Sequence, residues 1–247
     1  DNSWYFRNSL VRTNYKNFTN EKNEVKALQP TAEGYLYCMD HMLAGSEDSR
    51  FEGHNLIFQD EIFNNAINRM KRMYNSAISE NAEYSYRDET HLFNEGKLAI
   101  YINGVWGAPM ISKQIDAKYA LLPTDGGESM SCISSGLGYV LGNSGNEEKE
   151  KAAVKFLKYM LSKKVQTKIL EKTEQIPANP DISLESYKES KSRLYQAATL
   201  VLEADEKIEV PNNIWSAEQK DYFIKTIFDV LTGTLSIQEF EEGLENK

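Results

Sequence analysis

The sequence has little of what metal, redox and nucleic-acid-binding proteins use. Among 247 residues only two are cysteine and three are histidine, and their spacing matches no metal-binding or redox motif. Basic residues number 28 against 37 acidic ones, which gives a net charge of −9 without any basic run. This balance argues against binding to nucleic acid or to an anionic membrane. The longest apolar runs, such as residues 98–102, are far too short to span a bilayer.

Recognisable catalytic motifs are also absent. The chain contains no G-x-S-x-G elbow, no phosphate-binding P-loop and no H-E-x-x-H, and the Gly136-x-Gly138 pair lacks the third glycine of a dinucleotide site. Cys38 and Cys132 are interpreted as small buried residues, and their spacing leaves open whether they pair. We therefore expect a binding protein without a metal or cofactor, rather than an enzyme.

What is present is the composition of a folded, helix-rich α/β protein. Charged residues make up 26% and hydrophobic ones 40%, and the length allows one large or two modest domains. No charged segment followed by an apolar one opens the chain, so an export signal is not expected within it. Apolar periodicity and capping residues predict helices at 32–43, 60–74, 109–114, 147–160, 163–170, 184–204, 217–231 and 236–244, and apolar runs predict strands at 98–102, 119–122 and 138–141.

The segment 93–106, FNEGKLAIYINGVW, is the most informative one. Gly96 is suited to close a helix, residues 98–102 have the length of a strand, and Gly104 breaks that strand just before Trp106. Ligands of open α/β sheets bind outside the carboxyl ends of the strands, where an indole ring would pack on the C–H face of a sugar. The residues alone equally allow Trp106 to be partly buried packing.

This segment and three others together resemble the sugar-binding type of extracellular solute-binding protein of ABC importers. The other three are YALLPTDGG, the stretch ISSGLGYVLGN with the helices after it, and LTGTLSIQEFEEGL, so the likeness runs from about Thr31 onward. It implies a two-lobe fold of the periplasmic-binding-protein type, of which this chain would lack most of the N-terminal lobe. Residues 1–126 and 190–247 would form the C-terminal lobe and 134–186 would belong to the other lobe, with hinge crossings near 124–133 and 187–190. Exposed apolar surface is then expected on 134–186.

The resemblance also implies ligand-binding residues. Trp106 would stack on the sugar, and Glu33 and Tyr35 would contact it, although Glu33 equally suits the first turn of a helix and Tyr35 equally suits packing. A Gly-Ser turn would face the cleft, and a second tryptophan would lie in the segment that leads to the cleft-lining helices. These additional candidates are Ser135, Gly136 and Trp215.

By this resemblance the chain is the substrate-binding component of an ABC importer. Its partners would be a sugar or oligosaccharide and a membrane permease, and it would lie outside the cell as a lipoprotein or in the periplasm. Two alternatives remain at this point. The same fold could bind a polyamine or peptide, with aromatic rings facing a cation, or the chain could be a carbohydrate-active enzyme, which needs two carboxyl groups that flank a cleft.

Overall fold

Helices dominate the computed structural model, which describes residues 26–28, 30–45, 58, 61–77, 85–122, 129–133 and 138–247. Within these ranges the α-helices are α1 (Ala32–Ala44), α2 (Glu61–Ala77), α3 (Tyr86–Asn94), α4 (Glu147–Met160), α5 (Lys163–Thr173), α6 (Ser192–Glu203), α7 (Ala217–Thr232) and α8 (Ile237–Glu245). The strands are β1 (Lys26–Leu28), β2 (Leu98–Ile100), β3 (Met130–Ile133) and β4 (Glu206–Glu209). Short 3₁₀ helices cover Val105–Met110, Leu184–Tyr187 and Pro211–Ile214.

Capping residues set the ends of several helices where the sequence predicts them. The Thr31 hydroxyl accepts a hydrogen bond from the Gly34 N–H at 3.1 Å, and Gly45 ends the same helix α1. Ser236 and Glu239 form a reciprocal capping box at the start of α8. These helix boundaries are therefore confirmed, because local side-chain hydrogen bonds decide them.

The core lies between α1, α2, α7 and α8. Aromatic rings dominate it, and Phe63 packs on the rings of both Trp215 and Phe240. Phe223 and Phe240 are fully buried and contact each other. The predicted amphipathic helix at 60–74 supplies one wall of this core as α2.

The strands form two parallel pairs. β1 pairs with β2, with Lys26 opposite Leu98, and β3 pairs with β4, with Met130 opposite Glu206. The strands predicted at 119–122 and 138–141 are wrong, because neither stretch forms a ladder with any described residue. The side chain of Val140 is 94% exposed, so this apolar run lies on the surface and not in a buried sheet.

The C-terminal half of α1 contacts three separate parts of the chain, at Asn212, Leu122 and Cys132. The Asp40 carboxylate accepts hydrogen bonds from the Asn212 backbone N–H at 2.8 Å and from the Asn212 side-chain amide. His41 Nε2 lies 2.7 Å from the Leu122 carbonyl oxygen and donates to it, and His41 Nδ1 faces the Cys132 sulfur at 3.9 Å. Burial lowers the pKa of His41 to about 4, which keeps the ring neutral. Cys132 is a free thiol, as is Cys38, so the two cysteines do not pair.

Helix α4 has no buried residue. Its predicted inward stripe at 153, 156, 157 and 160 remains partly or fully accessible, and Phe156 is 55% exposed. The apolar surface expected in the 134–186 segment is therefore present in its described part. Of the described helices, not one has the length and apolar character needed to cross a membrane.

Buried carboxyl groups should make the fold more stable at mildly acidic pH. Burial raises the pKa of Asp40 to about 7 and that of Glu89 on α3 to about 8. Between roughly pH 4 and 8 the folded chain then holds carboxyl protons that the unfolded chain has released. Below about pH 6.5 the neutral His41 takes up one proton on unfolding, but the two carboxyl groups outweigh it, so the free energy of unfolding falls as the pH rises. Urea denaturation at pH 5 and pH 8 should show this fall, and Glu89→Gln should reduce it. An equal fall in Glu89→Gln and in the exposed control Glu171→Gln would contradict the account.

The same measurement should separate the core from the uncovered helix. Phe223→Ala removes a fully buried ring and should lower the free energy of unfolding by about 3–5 kcal/mol. Phe156→Ala should change it by less than about 0.5 kcal/mol, since that ring is mostly exposed. Comparable losses in the two variants would show that α4 packs more tightly than described.

Candidate functional site

Trp106 is presented just past the end of β2, at the start of the 3₁₀ helix Val105–Met110. It is 52% exposed, unlike most of the large aromatic residues that the structure describes. The ring lies against the backbone of Gly104, where an added Cβ would be only 2.2 Å from ring carbons. Gly104 is therefore the residue that allows the indole to lie flat over the chain.

Tyr37 of α1 completes the aromatic surface. Its ring meets the Trp106 ring edge to face, with centroids 5.7 Å apart and planes at 75°. Burial raises the pKa of Tyr37 to about 12, with smaller contributions from Tyr86 and from the charge of Glu33. The Tyr37 hydroxyl therefore stays protonated at physiological pH and retains a hydrogen to donate.

Asn103 organises the polar groups beneath this surface. Its Nδ2 donates to the Tyr86 hydroxyl at 2.8 Å and to the Tyr101 hydroxyl at 2.5 Å, and its Oδ1 accepts from the Gly104 N–H at 2.8 Å. Gly107 must lack a side chain, because a Cβ there would be 2.4 Å from the Asn103 amide nitrogen. One amide side chain thus fixes two phenols and the turn that carries Trp106.

Glu89 lies below the surface, near the N-terminus of α1. Its side chain is buried, and burial together with the charge of Glu33 raises its pKa, which the nearby N–H and hydroxyl of Thr31 oppose. Glu33 itself lies in the first turn of α1 and is partly exposed. Of these two carboxyl groups, Glu33 is the one that faces solvent and is able to accept a hydrogen bond from a ligand.

Two predicted site residues lie instead in the core, and their predicted ligand contact is corrected here. Tyr35 is 1% exposed and packs edge to face against Phe228, and Trp215 is 5% exposed within the cluster of phenylalanine rings. On a helix the residue that shares a face with Glu33 is the fourth along, which is Tyr37, whereas Tyr35 points to the opposite side. That spacing is a signal by which the sequence could have identified Tyr37.

The structure brings Trp106 and Glu33 to one region, together with three residues that the sequence reasoning missed, namely Tyr37, Tyr86 and Asn103. Ser135 and Gly136 lie outside the described residues. No group of three or more His, Cys, Asp or Glu side chains in the described ranges is arranged to hold a metal ion. An exposed ring face bordered by phenols, an amide and one accessible carboxylate suits a ligand that has an apolar face and hydroxyl groups.

Comparisons with known proteins give the family and the fold of the chain. A family model described as bacterial extracellular solute-binding protein matches residues 15–198. A solved Streptococcus pneumoniae solute-binding protein in complex with the blood group A-trisaccharide is similar, with a TM-score of 0.81 and 22% identity over 99% of this chain and 63% of that chain. A structure from work on xylan utilization by the thermophilic bacterium Caldanaerobius polysaccharolyticus gives a TM-score of 0.69 and 14% identity over 98% of this chain and 64% of that one.

No curated protein is significantly similar in sequence. The chain spans less than two thirds of the length of the two solved structures. At these identities the structural likeness concerns the fold, so the site has to be argued from the residues themselves.

Gly104→Ala tests how the indole is held. The backbone φ of −83° suits alanine, but the new methyl group would collide with the Trp106 ring and force it away from Gly104. The emission of Trp106, obtained by subtracting the spectrum of a Trp106→Phe variant, should shift to longer wavelength and become more sensitive to acrylamide. Gly138→Ala, which meets no atom within 4 Å, is the control. Unchanged Trp106 emission in Gly104→Ala would show that the ring does not rest on this glycine.

Proposed function

The chain belongs to the family of bacterial extracellular solute-binding proteins, and on that premise we propose that it binds a neutral sugar or oligosaccharide at Trp106. The helix-rich α/β fold predicted from the sequence is confirmed. In the proposed complex the C–H face of a sugar ring packs on the indole, and Tyr37 borders the ring. Glu33 accepts hydrogen bonds from sugar hydroxyls. No catalytic step is proposed.

The observation that carries this proposal is the half-exposed indole beside groups that bond to hydroxyls. Sugars combine apolar C–H faces with a rim of hydroxyl donors and acceptors, and a flat ring with a few polar neighbours complements both. The structural relatives support the same ligand class. One is in complex with the blood group A-trisaccharide, and the other comes from work on xylan utilization.

The role of the whole protein extends this proposal. The chain would deliver its sugar to an ABC permease and would lie outside the cell, as a lipoprotein or in the periplasm. We also propose that residues 1–126 and 190–247 belong to one lobe and 134–186 to another, with crossings near 124–133 and 187–190. The absence of buried residues in α4 supports this division, since a helix with an apolar stripe is stable when another surface covers that stripe.

A cationic ligand such as a polyamine, or a peptide, is the second candidate. Glu33 and the faces of Trp106 and Tyr37 would attract a cation, as would the net charge of −9. An enzymatic role is less well supported, because Glu89, the second carboxyl group near the site, is buried and out of reach of a substrate. Turnover of glycans, followed by product analysis, would establish an enzyme.

Titration calorimetry separates the two binding candidates. Blood group A trisaccharide and xylotriose should bind, and spermidine should not. Trp106→Ala should weaken sugar binding at least about 10-fold, because it removes the stacking surface, and Trp106→Phe should weaken it less. Leu202→Ala, another exposed apolar side chain, is the control. Sugar binding that survives Trp106→Ala unchanged would refute this site, and binding of spermidine alone would favour the second candidate.

A further inference from the structure

We propose that the Tyr86 hydroxyl donates a hydrogen bond to the ligand. In the free protein the same hydroxyl donates to the sulfur of Met110, which the ligand would replace. This inference rests on the proposed function, since it names an additional contact at the same site.

Both hydrogens of the Asn103 side-chain amide form hydrogen bonds within the protein. Its amide nitrogen has two, and the Tyr86 and Tyr101 hydroxyls accept one each. Because Asn103 donates to both phenols, each phenol must direct its own hydrogen elsewhere. The two phenols differ in where that remaining hydrogen goes.

Tyr101 has a strong acceptor for its hydrogen. Its hydroxyl lies 2.8 Å from the Thr90 hydroxyl, whose own hydrogen is directed to the Tyr86 carbonyl oxygen at 2.8 Å. Thr90 therefore accepts from Tyr101, and both residues are satisfied within the protein. Thr90 is buried, so the Tyr101 hydrogen points into the structure and away from a ligand.

Among the described residues, the acceptor of the Tyr86 hydrogen is a weak one. Its hydroxyl donates to Met110 Sδ at 3.3 Å, and a thioether is among the weakest acceptors in proteins. Tyr86 is partly exposed and Met110 is 42% exposed, which leaves this bond accessible from solvent. An oxygen atom of a ligand would replace the sulfur at little cost, and the hydrogen would then form a stronger bond.

The position of Tyr86 fits a ligand that stacks on Trp106. Tyr86 is linked through Asn103 to Gly104, against which the indole lies, and Met110 ends the same 3₁₀ helix in which Trp106 is the second residue. Tyr86 also contributes to the raised pKa of Tyr37, whose ring contacts the indole. The three aromatic side chains thus border one surface, with Tyr86 as its donor.

A matched pair of variants separates ligand contact from support of Asn103. Tyr86→Phe and Tyr101→Phe each remove one acceptor from the Asn103 amide, so their shared effect is structural. The affinity of Tyr86→Phe for a sugar should be about 3- to 10-fold lower than that of Tyr101→Phe, which is the usual range for one neutral hydrogen bond. The probes are xylotriose, which offers hydroxyl and ether oxygens, and chitotriose, which adds amide carbonyls, with binding measured by calorimetry. The probe that loses more affinity identifies the acceptor.

Met110→Leu supplies the second test. It removes the competing acceptor at similar volume, so sugar affinity should rise, and this rise should vanish in the Tyr86→Phe background. Equal losses in the two phenylalanine variants, or a Met110→Leu effect that persists in Tyr86→Phe, would overturn the inference. Trp106→Ala in the same series tests the proposed function separately. If Trp106→Ala weakens sugar binding while Tyr86→Phe and Tyr101→Phe weaken it equally, only the role of Tyr86 is refuted. If no sugar binds the unaltered chain, both proposals fail.

Discussion

The hydrogen bonding of the Asn103 amide is the constraint on which the candidate site depends. Three bonds from one side chain fix the Tyr86 and Tyr101 hydroxyls and the N–H of Gly104. These bonds join the start of α3 to the segment between β2 and the 3₁₀ helix, so they hold the two parts of the chain together as one platform. The indole needs such a platform, since a ring that moves freely on the surface would lose entropy on binding and contribute less to affinity.

Helix α1 connects this platform to the rest of the fold. Its first turns carry Glu33 and Tyr37, and its last turns carry Asp40 and His41, which bond to Asn212 and Leu122. Between them the opposite face of α1 packs into the aromatic core. Helix α1 therefore joins two residues of the candidate site to the chain segments at Leu122 and Asn212.

Local signals decided which features the sequence could predict. Thr31, Gly45, Ser236 and Glu239 set helix ends through bonds to their own neighbours, and Gly104 placed Trp106 beyond a strand in the same way. The predicted strand at 138–141 was wrong because a short apolar run does not by itself indicate a buried strand. Such a run is equally compatible with a surface segment that another part of a fold covers. Trp215 was misplaced because its burial depends on distant phenylalanine rings, which no local pattern reveals. Tyr35 was misplaced although the helical spacing puts it on the face opposite Glu33. The Asn103 network joins residues up to 17 positions apart and could be found only from coordinates.

Fluorine NMR on protein labelled with 5-fluorotryptophan tests the central claim most directly, because each indole reports separately during a titration with blood group A trisaccharide or xylotriose. The resonance of Trp106, assigned from a Trp106→Phe variant, should shift with the same midpoint as the heat of binding, and the resonance of the buried Trp215 should stay in place. A titration in which sugar binds but the Trp106 resonance does not move would contradict the account.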